Sequence, residues 1–366
     1  ANGDISVDRI VVHSGATFNV ASSSFVSDNL VNIDGTLMIG SGSFSTTGTS
    51  DIDGSLIIDQ GFYDANSTFD ATSGIINFTD NGSVKVASSV TSFGTLSISE
   101  GTVIYDGVNQ TLKNDSYHNL QISNSGIKTV TSANTIYGNL IIDNGSTLTC
   151  SSSSSDLTLS GGSFNNNGGV LNLGSADLKF TGGNNVTCGA ISSNYTGNLI
   201  IEKSSSSNIV TTTGNMSLHR VLFKEGVLLV DGDTITTDYS NIIYIGGTLN
   251  VTSGLFYSNY AGFLYVYGGT LDIDGGEVRV GNPASHSSSD VYAPSSSTYA
   301  SSLVDISGGS LNITALIQAP RVIGCVLVGV AVIVMTAAFA MTPPRRGSFS
   351  GTRLKSCVTT SCPAFA

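Results

Sequence analysis

The chain has 366 residues, of which 11% are charged and 40% hydrophobic, with 43 glycines and no tryptophan. Low charge with that much apolar content excludes a disordered chain, which has the reverse balance. A formal net charge of −12 disfavours nucleic acid and anionic lipid as partners, because both need clustered Lys and Arg.

The first predicted elements are short strands marked by a recurring phrase. It reads Gly35-Thr36-Leu37-Met38-Ile39, Gly54-Ser55-Leu56-Ile57-Ile58, Gly74-Ile75-Ile76-Asn77-Phe78 and Gly94-Thr95-Leu96-Ser97-Ile98. It returns at Gly138, Gly197, Gly247, Gly269 and Gly309. A repeat near twenty residues marks a stack in which each unit is one turn. Within each copy the apolar residues alternate, so they share one face of a strand. Turn signals such as Asp34-Gly35, Asp53-Gly54, Asn81-Gly82, Asn144-Gly145 and Asp231-Gly232 lie between the copies. Coils of about twenty residues with two or three short strands predict an all-β, right-handed parallel β-helix over residues 1–318.

The next stretch carries a resemblance. Gly101-Thr102-Val103-Ile104-Tyr105-Asp106-Gly107, Asn109-Gln110-Thr111-Leu112, Tyr117-His118-Asn119-Leu120-Gln121-Ile122-Ser123, Lys128-Thr129-Val130 and Tyr137-Gly138-Asn139-Leu140-Ile141-Ile142 follow in order. This run resembles the degenerate repeats of bacterial cell-surface β-helix proteins, the stalks and adhesin-like proteins. The resemblance implies an extracellular rod and supplies no catalytic residues.

Further along, Ser151–Ser155 reads as a turn or bulging loop. Cys150 and Cys188 lie about two periods apart, near 10 Å in a stack of strands 4.8 Å apart, roughly. A disulfide needs Cα atoms within roughly 7 Å, so both are expected to remain thiols. Cys325, Cys357 and Cys362 show no zinc spacing.

Between residues 239 and 267 aromatic residues concentrate. Tyr257, Tyr260, Tyr265 and Tyr267 form the candidate ligand face, with Leu264 and Val266 pointing inward. Exposed rings on a rigid face could stack on surface glycans. Asp272, Asp274 and Glu277 form an acidic turn cluster, and Asp231, Asp233 and Asp238 a second acidic group. Hydrolysis of a polysaccharide needs carboxylates converging on one outward face. Alignment on the Gly-Gly pairs places Leu249, Leu271 and Leu311 in one column and Val251, Ile273 and Ile313 in the next. Tyr244, Val266 and Ile306 share another. The same alignment puts Asn250 and Asn312 beside Asp272, so no carboxylate cluster spanning several coils is expected. The calcium-binding nonapeptide pattern is absent. The chain is therefore read as a non-enzyme with no cofactor and no metal.

Residues 281–302 are Ser-rich and read as a loop inserted into one coil. From Val322 to Met341 runs an apolar segment long enough, as a helix, to cross a bilayer core of about 30 Å. Arg345, Arg346, Arg353 and Lys355 follow it, which orients the rod outside the cell. The expected organisation is thus a β-helix over 1–318, a transmembrane helix over 319–342 and a basic tail over 343–366. The leading function is a cell-surface structural or adhesin-like rod, membrane-anchored at its C-terminal side, with glycans or other copies of itself as partners. A subunit of an extracellular filament or sheath is the first alternative, and a polysaccharide-active enzyme the second.

Overall fold

A computed structural model of the chain describes residues 5–192, 197–259, 263–281, 290–292, 303–315, 321–323, 326–328 and 333–337. Each coil visits three faces in turn with short strands, and every strand pairing is parallel to the equivalent strand one coil away. On the first face Ser24–Ser27 pairs with Ser43–Thr46, which pairs with Phe62–Ala65. On the second, Val31–Ile33 pairs with Ser50–Ile52. On the third, Thr36–Ile39 pairs with Ser55–Ile58. Nineteen residues separate Leu37 from its register partner Leu56. The described residues form a parallel β-solenoid without a helix.

Alternation decides which side chains are sealed. In Ser55–Ile58, Leu56 and Ile58 are fully buried while Ser55 and Ile57 face outward. Leu37, Leu56 and Ile76 stack in one inward column. Each such side chain contributes about 1.5–3 kcal/mol on leaving water. The first coils add a second inward column of rings, with Phe25, Phe44 and Tyr63 stacked at centroid distances of 5.2 Å. The glycine that opens each phrase has a steric cause. A Cβ on Gly54 would lie 2.0 Å from the carbonyl oxygen of Gly35 in the coil before it.

The repeated phrase does not mark one face. Leu37, Leu56 and Ile76 stand on the third face, whereas Leu249 and Leu271 stack on the first. Leu311 stands on the second, under Val278 and Phe256. The predicted column of Leu249, Leu271 and Leu311 is therefore corrected: the partner of Leu271 is Val304, and that of Ile273 is Ile306. Ile313 pairs with Val280. Tyr244, Val266 and Ile306 do not share a position either, since Tyr244 pairs with Tyr267 and Val266 with Ile243. Gly308 and Gly309 close over Gly275 and Gly276, not over Gly268 and Gly269. Any aliphatic pair that follows a tight corner reads alike in sequence, whichever corner it follows.

Two further expectations change. Within 281–302, Asp290–Tyr292 is a strand of the third face, paired with Phe263–Tyr267. The rest of that stretch, after Gly281, lies outside the described residues. Within the segment expected to be a membrane helix, Arg321–Ile323, Val326–Val328 and Ile333–Ala337 are strands that extend the parallel stack. The remainder of 319–342, and all of 343–366, lies outside the described residues. No helix among the described residues is long and apolar enough to cross a membrane. The segment is rich in Val and Ile, whose branched Cβ atoms favour extended backbone. Hydropathy registers only that it is apolar.

The second face lacks a strand pairing between Val170–Asn172 and Ile191–Ser192, and a wider break near Val90 involves two faces. Val90–Ser92 pairs backward with Phe69–Asp70, and Thr95–Leu96 pairs backward with Ile75–Ile76, but neither has a strand partner in the following coil. The second and third faces restart at Gln110–Thr111 and Ser116–Tyr117. Only the first face runs through, from Ser83–Val86 to Thr102–Tyr105 to Asn119–Ile122. The coil there is short: seventeen residues separate Thr102 from its partner Asn119. That length leaves room for only two-residue strands on the other two faces.

Candidate functional site

The sequence-predicted residues fall on different faces of the late coils. Tyr265 and Tyr267 point outward, with Leu264 and Val266 fully buried beneath them. Phe263, Tyr265 and Tyr267 follow at alternate positions, so their rings meet. Ring centroids are 5.7 and 5.4 Å apart with interplanar angles of 12° and 22°. The rings thus stand face to face along the strand and turn their flat sides to one another. Tyr257 lies on the second face, in register with Arg279. The guanidinium carbon of Arg279 sits 5.5 Å from the Tyr257 ring centroid, a cation–π contact. Tyr260 lies outside the described residues. The candidate ligand face is therefore not one platform, and its described rings already have partners.

The acidic cluster is also divided. Glu277 belongs to the second face, where its Oε1 accepts from Arg279 Nε at 3.0 Å and from Asn312 Nδ2 at 2.5 Å. Asp272 and Asp274 stay on the first-face strand. The register partner of Asp272 is Asp305, not Asn312. The expectation that carboxylates do not gather across coils is corrected: Asp272, Asp274 and Asp305 are neighbours. Asn250 Nδ2 donates to Asp272 Oδ2 at 3.0 Å and to Asp274 Oδ2 at 3.3 Å. Ser307 Oγ donates to Asp274 Oδ1 at 2.7 Å. Partial burial, reinforced by the charges of Asp274 and Asp305, pushes the Asp272 carboxyl up to about 6. Asp305 was missed because the Gly-Gly alignment slipped by one face. The other acids stay apart in their bonding: Asp231 accepts from Ser253 Oγ at 2.7 Å, and Asp238 faces His219 Nδ1 at 3.4 Å. Asp233 lies beside the corner glycine Gly254, a Cβ on which would sit 2.2 Å from its carbonyl oxygen. Among the described residues no three His, Cys, Asp or Glu side chains are grouped to hold a metal ion.

Cys150 and Cys188 are free thiols in the interior, as expected, but they stand on different faces, Cys150 on the second and Cys188 on the first, and not at one position two coils apart. Burial, reinforced by Asp156, pushes the Cys150 thiol up to about 12, and burial alone raises Cys188. Neither is a nucleophile at neutral pH.

A concavity lies at the interrupted coil. A cleft of about 640 Å³ opens where the second-face ladder breaks, between Ser88 to Val90 on one side and Thr111 to Asn114 on the other, with Thr131 beyond. Side chains replace the missing ladder bonds. Gln110, 8% exposed, accepts the Gly107 N–H at its Oε1 and donates from Nε2 to the carbonyls of Val86 and Ser88, each at 2.8 Å. Beneath it runs a closed ring of hydrogen bonds. The Lys113 N–H donates to Tyr105 Oη at 3.0 Å, and Tyr117 Oη donates to the Lys113 carbonyl at 2.8 Å. The two hydroxyls are 3.2 Å apart, so Tyr105 is left to donate to Tyr117. Burial pushes the Tyr105 hydroxyl up to about 12 and also raises Tyr117 well above the usual phenol range. In the sequence Tyr105, Gln110 and Tyr117 stand out only as parts of a repeat. The available signal was the shortened spacing around them.

No protein-family profile matches this chain, and neither a curated protein nor a solved structure matches it. The likeness to bacterial surface stalks rests on the repeated phrase.

Proposed function

We propose that the protein is a cell-surface structural or adhesin-like rod. The carrying observation is the first-face ladder, which continues from Ile5–Val7 to Val326–Val328 with inward positions filled mostly by apolar side chains, Ser27, Thr46 and Thr212 being buried polar exceptions. Such a stack is a stiff, quasi-one-dimensional spacer whose stability adds coil by coil. Its outward positions vary from coil to coil, from Ser45 and Asp64 to Lys85, Ile104, Gln121 and Ile141 along the first face. The test is labelling of intact native cells with an antibody against the first coils. Labelling that external protease removes is the expected result. Signal seen only after the cells are opened would contradict the reading.

A second reading, cleavage of a polysaccharide, draws on one observation: Asp272, Asp274 and Asp305 adjoin on an outward face, with Asp272 poised as a proton donor near neutral pH. A reducing-end assay on a panel of polysaccharides tests it. Release of sugar that disappears in Asp272→Asn would favour this reading over the first.

A further inference from the structure

We propose that the cleft at the interrupted coil is a binding site for a short run of neutral sugar rings. The inference deepens the surface-rod reading and rests on it for its setting. Size comes first: about 640 Å³ falls within the roughly 300–1,000 Å³ of small-ligand sites. A second concavity of about 360 Å³ shares Asn109, Gln110 and Thr111 and carries the trough along the same face. Chemistry comes next. The lining contributes hydroxyls and amides and no carboxylate, in a chain whose net charge is −12. Lys113 is its only charged side chain. That lining suits neither a metal cation nor a polyanion, and it matches ligands that both donate and accept. The side chains of Ser88, Thr111, Asn114 and Thr131 have no hydrogen-bond partner among the described residues, and all four are exposed. Ala87 and Val90 add apolar surface for the C–H faces of a sugar ring.

An extended peptide adding a strand at the break is the competing occupant. The edges there are only three and two residues long, at Val90–Ser92 and Gln110–Thr111. Strand addition draws its affinity from main-chain bonds, and so few would give little. The Gln110 amide already occupies the Val86 and Ser88 carbonyls. Gln110 and the tyrosine ring also fix the cleft walls in advance, which lowers the ordering cost of binding a small ligand.

The experiment uses the full chain on a printed array of neutral and singly acidic oligosaccharides. The strongest binder is then titrated by calorimetry against Asn114→Ala and Thr111→Val. Both side chains are exposed and without a hydrogen-bond partner among the described residues, so melting should be unchanged. We expect each variant to bind at least tenfold more weakly, Tyr265→Ala to bind as the parent does, and the sugar to slow amide exchange at residues 109–114. The proposal is overturned if no oligosaccharide binds, if both cleft variants bind normally, or if only a strand-forming peptide protects those amides. The surface reading fails separately: a chain that binds sugar through the cleft yet is found only inside cells would remove that reading and leave the site.

Discussion

At the residue scale the interior polar groups are the most exacting part of the molecule. Gln110 satisfies three backbone groups that would otherwise be joined by a ladder, and nothing else described stands in for it. Gln110→Ala should therefore cost about 1–3 kcal/mol, more than an exposed substitution, because buried donors and acceptors lose their partners. Denaturant unfolding measures it. Tyr105→Phe removes the acceptor of the Lys113 N–H and the donor to Tyr117 and should fall in the same range of about 1–3 kcal/mol. Asp272 behaves in the opposite sense. Its carboxyl is pushed up to about 6 from 3.8, so the folded chain holds that proton more tightly than the unfolded one. Its contribution is favourable below about pH 4 and is lost as pH rises through about 6. The groups facing it are Asp274 and Asp305, with Asn250 donating from the preceding coil. Amide exchange in 270–280 should slow as pH is lowered from 7 to 5, after correction for intrinsic rates, and Asp272→Asn should flatten that dependence.

At the scale of the strand and its corner, stability varies along the chain. Coils before Val90 have partners on all three faces, whereas Val90–Ser92 and Thr95–Leu96 lack a partner on one side. Hydrogen exchange should be faster in those two strands than in Ser50–Ile52 and Ser55–Ile58. Equal protection would mean that the ladder is not interrupted. Gly54→Ala should destabilise by about 1–3 kcal/mol, because its Cβ would press on the Gly35 carbonyl and force the coils apart. The alternation that makes Leu56 and Ile58 inward was legible, since a period of two leaves no other choice for residues sharing a buried face. The face itself was not legible. The corners before Leu271 and Leu311 both present two glycines, and only the register with Val304 and Val278 tells them apart. Asp305 was lost for the same reason. The strands within 321–337 were hidden because length and hydropathy alone cannot separate a spanning helix from stacked β-branched strands. The cleft was hidden because it arises from what a short coil omits.

At the scale of the whole molecule, each coil touches mainly its neighbours, so damage should stay local and stability should grow with the number of coils. Everything else depends on coils lying directly over one another in the register described. Met38 and Ile57 are outward register partners one coil apart, and Asn77 lies one coil beyond Ile57. Parallel neighbours sit about 4.8 Å apart, inside the disulfide window, and residues two coils apart do not. The decisive measurement is oxidation of the Met38→Cys/Ile57→Cys and Met38→Cys/Asn77→Cys pairs, with the linked peptides identified by mass spectrometry. Near-complete crosslinking of the first pair and little of the second is expected. Equal yields, or crosslinking of the second pair alone, would contradict a one-coil parallel stack.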